Sequence, residues 1–121
     1  MPSGASAPED TGGLDLRRMA ETVTERYARE FPDEDQRYEP KVWRAWCRHD
    51  TQYLLHWAIL DVEGTTRLRD QVAWLSRVLA ARDFPLDRLA RTLELAADVV
   101  AQEGRSDVAE RLRAATAVTR A

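Results

Sequence analysis

From Leu14 onward the apolar residues fall at three- and four-residue steps, the period of an α-helix with one buried face. Leu16, Met19, Val23 and Tyr27 define a first helix expected from about Leu14 to Phe31, with Glu25 and Arg29 spaced for an i, i+4 ion pair. Pro32 halts it. The run PDEDQRYEP reads as an acidic connector, and Pro40 is suited to open the next helix, because a first-turn proline gives up no helical hydrogen bond. That second helix is expected over Pro40 to Val62. Gly64 supplies its stop and the threonines of EGTTR a candidate N-cap, after which Leu68, Val72, Leu75 and Leu79 mark a third helix ending near Arg82. Asp83, Phe84 and Pro85 form a corner. Leu86, Leu89, Leu93, Ala96 and Val100 then mark a fourth helix closed by Gly104. Ser106 is placed to cap a short fifth carrying Val108, Leu112 and Ala115, with Asp107 and Arg111 four apart. No stretch alternates as a strand would.

The pattern therefore predicts an all-α fold: an up-down helical bundle of four main helices plus a short C-terminal helix, in a single domain over 14–121. Residues 1–13, MPSGASAPEDTGG, are too poor in apolar side chains to offset the entropy of ordering, so a disordered tail is expected there.

Composition narrows the setting. With 121 residues, 44% of them hydrophobic, the chain has enough apolar mass for one core. A lone cysteine, Cys47, makes no internal disulfide, which fits a reducing compartment. Neither a signal peptide nor a membrane-spanning run is recognisable, so a cytoplasmic protein away from membranes is expected. The net charge of −3 argues against a nucleic-acid partner.

Three of the four tryptophans and both histidines lie in the second helix. Val42, Trp46, His49, Tyr53, His56 and Leu60 follow one stripe, with Trp43, Cys47, Leu54 and Trp57 beside it. One account makes this the central helix of the bundle, its tryptophans filling the core and its histidines hydrogen-bonded at the edge. The other makes His49 and His56, with Trp46, Tyr53 and Trp57, the walls of a cofactor site for a tetrapyrrole or another flat aromatic ligand.

Other chemistry is less well represented. A carboxylate-bridged di-iron bundle needs Glu-x-x-His pairs, but Trp46 and Tyr53 precede the two histidines by three. Cys47 and His49 form an isolated C-x-H without a second pair at zinc spacing. Asp61 and Glu63 lack the oxygen-ligand pattern of a calcium loop and read as solvated acids. None of the four serines sits in a nucleophile elbow, and Cys47 and His49, two apart on a helix, diverge, so no catalytic residue is identified.

Asp50 and Tyr53, followed by Val72, Trp74, Leu75, Leu79, Ala80, Ala81, Arg82, Pro85 and Leu89, give a D-x-x-Y helix and a V-x-W-L-x-x-x-L-A-A-R-x-x-P-x-x-x-L stretch. Over about fifty residues this resembles the helical segment of bacterial cobalamin-binding regulatory proteins and related sensory bundles. The D-x-H-x-x-G motif of their cobalamin domain is missing, and Leu54 follows the tyrosine where a histidine is associated with the family. The resemblance implies a detached regulatory bundle. A non-enzymatic regulatory or protein-interaction module, with a protein partner and a homodimer covering the tryptophan-rich face, is the first expectation; the ligand-binding sensor is the alternative.

Overall fold

A computed structural model describes residues 7–120. The chain runs β1 (Asp10–Thr11), β2 (Leu14–Asp15), α1 (Leu16–Glu30), α2 (Glu34–Arg37), α3 (Pro40–Val62), α4 (Leu68–Ala80), α5 (Leu86–Gln102) and α6 (Ser106–Ala115), closing on a 3-10 turn over Thr116–Arg120. The fold is mostly helical, and the five expected helices correspond to α1, α3, α4, α5 and α6. Helix α1 lies against α3 and α5, and α6 against the same two. Their shared core holds Leu16, Met19, Val23, Leu54, Leu55, Ile59, Leu93, Val100 and Leu112, each fully buried. No helix among the described residues is long and apolar enough to cross a membrane.

Local chemistry sets the helix ends. Asp15 caps α1 by accepting from the Arg18 N–H at 3.0 Å, and Glu39 caps α3 through the Val42 N–H at 2.9 Å, with Pro40 in the first turn. At the α4–α5 corner Asp83 takes a left-handed φ of 59°, which aspartate tolerates better than most residues. The Phe84 N–H then reaches back to the Leu79 carbonyl at 3.0 Å, satisfying one orphan carbonyl of α4.

Several expectations are corrected. Of the segment read as a disordered tail, residues 1–6 lie outside the described residues, but the rest is held in place. Residues 10–15 form a tight hairpin, β1 antiparallel to β2, turning through Gly12 and Gly13 at φ 59° and 79°. It is docked on α3: the Gln52 amide donates to the Pro8 carbonyl at 2.9 Å, and Thr11 Oγ1 lies 2.9 Å from His56 Nδ1. Two-residue strands carry no readable alternation, so they leave no periodic signal in the chain.

The acidic connector contains α2, an extra one-turn helix whose acids are engaged. Asp61, read as a solvated loop acid, accepts the Leu68 N–H at 2.7 Å at the start of α4 and pairs with Arg111. That leaves the threonines of EGTTR without the capping role. Arg111 is therefore not paired with Asp107, which binds Arg105 instead, and Glu25 pairs with Arg44 of α3 rather than Arg29. Arg111 and Glu25 each find a partner on α3 that outcompetes the i, i+4 neighbour, whereas Asp107 takes the cap residue of its own helix. Ser106 opens α6 without capping it, since the preceding Arg105 is the cap residue.

Candidate functional site: an aromatic-walled cavity

The face α3 turns to the core is not the expected stripe. Trp43, Thr51, Gln52, Leu54, Leu55, Ala58 and Ile59 are buried, whereas Val42 and Trp46 are 40% and 39% exposed. Buried Thr51 and Gln52 interrupt the apolar pattern that would have marked this face.

The structure brings three of the five proposed ligand-binding residues together and gives His56 and Trp46 other partners. His49, Tyr53 and Trp57, each four residues apart, stack in a ladder with centroid separations of 5.0 and 5.4 Å. Both His49 ring nitrogens are buried without a hydrogen-bond partner among the described residues. His56 is engaged by Thr11 under the hairpin. Of the five, Trp46 lines an aromatic-walled cavity that the other four do not, and its ring meets Tyr38 there at 6.0 Å.

That cavity, about 240 Å³, lies among the C-terminal part of α1, α2, the N-terminal half of α3, the α4–α5 corner and α5. Trp43, Cys47, Asp50 and Leu54 recur at steps of four, three and four, with Trp46 beside Cys47, so one face of α3 supplies a wall. Tyr27 of α1, Tyr38, and Phe84 at the corner add aromatic surface. Trp43 is fixed twice over: its ring packs on Tyr27 at 5.7 Å and its indole N–H donates to Asp35 at 2.9 Å.

Helix α2 carries Glu34, only 2% exposed, into this wall. The Tyr27 hydroxyl donates to Glu34 at 2.5 Å, while Arg88 and Arg37 reach the other carboxylate oxygen at 3.3 and 3.4 Å. Burial, with the adjoining carboxylate, holds the Tyr27 hydroxyl far above its ordinary pKa, so it remains a donor. Arg88 also binds Asp33 at 2.9 Å and lies over the Phe31 ring at 4.3 Å. Asp33, Glu34 and Asp35 are thus each tied to α1, α3 or α5.

Asp50 has a different environment. Its carboxylate accepts no hydrogen bond among the described residues, and the nearest cation-forming group is the His49 ring at 3.7 Å. Burial pushes it up to about 6, opposed by His49 and, more weakly, Arg82. Burial likewise pushes the Cys47 thiol up to about 11, which leaves little thiolate at neutral pH. Among the described residues, no group of three or more His, Cys, Asp and Glu side chains is placed to hold a metal ion.

Sequence reasoning found Trp46 but missed the site, because Tyr27, Glu34, Phe84 and Leu89 reach it from segments far apart in the chain. The one available signal was the i, i+4 pair of Trp46 and Asp50. No protein-family model, curated protein or solved structure matches the chain.

Proposed function

We propose that the protein is a non-enzymatic, ligand-responsive helical module that holds a small, largely apolar molecule in the cavity beside the N-terminal half of α3. The observation that carries this reading is the cavity itself: about 240 Å³, walled by Tyr27, Tyr38, Trp43, Trp46 and Phe84, with a carboxylate at its side. A dry engineered cavity of about 150 Å³ accepts benzene, so this one suits a single ring with a short substituent. A tetrapyrrole is too large for it, and neither histidine lines it.

Binding is favoured over catalysis by the state of the other polar groups. Glu34 is committed to Tyr27 and two arginines, and the Cys47 thiol is held in its inert, protonated form. A regulatory role, also the one implied by the resemblance to cobalamin-regulator bundles, draws support from α2. This four-residue helix forms one wall and is held mainly by side chains, so an occupant that shifts Trp43 also shifts the Asp35 contact. Exposed Trp74 and Val42, at 52% and 40%, supply apolar surface for a protein partner or a second copy in a reducing cytoplasm.

The test is a titration of the protein with monocyclic aromatic probes such as 2-phenylethanol and 2-phenylethylamine, followed by amide and indole N–H NMR shifts. Saturable shifts centred on the Trp43 and Trp46 indoles are expected. An absence of saturable binding by any probe, or shifts centred on Trp57 and His56, would refute the assignment.

A further inference from the structure

The polar groups of the cavity differ in what they leave open. Glu34 is satisfied from three directions, and the Trp43 indole N–H and the Thr92 hydroxyl are both engaged, the latter with the Arg88 carbonyl at 2.9 Å. Asp50 is 27% exposed and retains unused acceptor capacity among the described residues. Trp46 stands four residues before it, which places indole and carboxylate side by side on one helix face.

The aromatic rings here already attract cations. Arg37 lies 5.4 Å from the centroid of Tyr38 and Arg44 lies 5.2 Å from that of Trp43. The Trp46 ring receives no such cation among the described residues. An electron-rich indole face and an under-coordinated carboxylate, adjoining in an apolar cavity, form a receptor for an organic cation: one supplies the ring quadrupole, the other a charge-assisted acceptor.

Resting on the small-ligand reading above, we propose that the occupant is a compact organic amine, protonated and bound with its ammonium against Asp50 and Trp46 and its apolar body against Tyr27, Trp43, Leu54 and Leu89. Scaling the volume from the benzene-sized cavity gives about nine or ten non-hydrogen atoms, the size of one ring with a short aminoalkyl arm. Arg82 is the countervailing group, since it lines the same cavity with positive charge. It is an exposed residue, so water screens it, while Asp50 is mostly buried.

The experiment compares three probes of nearly equal size at pH 7.5 by calorimetry and NMR: 2-phenylethylamine, neutral 2-phenylethanol and anionic 3-phenylpropionate. The amine is expected to bind at least about tenfold more tightly than the alcohol, the worth of a charge-assisted contact. D50N should erase that ratio while the alcohol still binds. W46L, at a partly exposed position, should lower the ratio and keep the fold, which provides a second reading if D50N does not fold. Equal affinity for amine and alcohol would overturn the cation assignment and leave the cavity's role standing. Tighter binding of 3-phenylpropionate would overturn it in favour of Arg82. If none of the probes binds, the small-ligand reading falls and the amine proposal with it.

Discussion

Trp43 and Trp46 are three residues apart on α3, line the same cavity and are equally plausible as core residues by sequence, yet the structure assigns them different energies. Trp43 is 5% exposed, packed on Tyr27 and hydrogen-bonded to Asp35; Trp46 is 39% exposed and touches Tyr38 edge-on. A fully buried tryptophan removes roughly 150–250 Å² from water, worth about 4–6 kcal/mol at 25 cal/mol per Å² as an upper bound. Substituting alanine at Trp43 should therefore cost about 3–5 kcal/mol, its indole hydrogen bond included. Trp46 buries roughly three-fifths of its side chain and opens onto a cavity that already exists, so Trp46→Ala should cost about 2–3 kcal/mol. Urea denaturation followed by far-ultraviolet circular dichroism measures both. Against a total stability of about 5–15 kcal/mol, Trp43→Ala should remove a large share and Trp46→Ala a smaller one. Equal losses, or a larger one at Trp46, would show that the cavity wall is not packed as described.

Three further outcomes follow from individual contacts. Asp50 carries a folded-state pKa near 6, above its ordinary 3.8, amid His49 and Cys47 of α3, Glu34 of α2 and Arg82 at the α4–α5 corner. Between these values the folded chain keeps a proton that the unfolded chain gives up, so this group's contribution falls as pH rises from about 4 to 6 and is flat above. Asp50→Asn should then stabilise the protein at pH 7 by about 1–3 kcal/mol and flatten that stretch of the pH–stability curve; a destabilised variant at pH 7 would contradict it. Arg88→Ala should cost about 3–5 kcal/mol by leaving the Glu34 charge buried with a weaker partner, and an effect below about 1 kcal/mol in the same denaturation assay would refute the role assigned to this pair. At Gly12 the backbone is left-handed and an added Cβ would stand 3.1 Å from Ile59 Cγ2, so Gly12→Ala should cost about 1–2 kcal/mol. Loss of slow hydrogen exchange at residues 10–15 should accompany it, and an unchanged melting point would count against a docked hairpin.

Long, strongly periodic elements were legible from the chain alone. The boundaries of α3 follow from Pro40 and Gly64, and those of α5 from the Phe84-Pro85 corner and Gly104. What escaped was short or held by distant partners. Helix α2 has a single turn, and its acids look solvated until Arg88, Tyr27 and Trp43 are brought to them by the folding of α1, α3 and α5. The hairpin depends on two glycines in left-handed conformations and on Gln52 and His56 of α3, forty-odd residues away. Buried Thr51 and Gln52 rotated the apparent apolar stripe of α3 away from its true inner face, so the pattern pointed to the side of the histidines rather than to the cavity wall beside Asp50.

The two carboxylates of the cavity separate structural from functional polarity better than any motif does. Glu34 is the more deeply buried, yet Arg88, Arg37 and the Tyr27 hydroxyl compensate it, and its position joins α2 to α1 and α5. A charge held in that way specifies a fold and offers nothing to a ligand. Asp50 faces the same space with no hydrogen-bond donor among the described residues, only the His49 ring at 3.7 Å and the exposed Arg82, and ionising it at neutral pH costs the folded state free energy that an asparagine or a leucine would avoid. Among the described residues no hydrogen-bond donor compensates that acid. An occupant carrying positive charge does, because its ammonium supplies the missing partner and converts a destabilising carboxylate into the main source of binding selectivity.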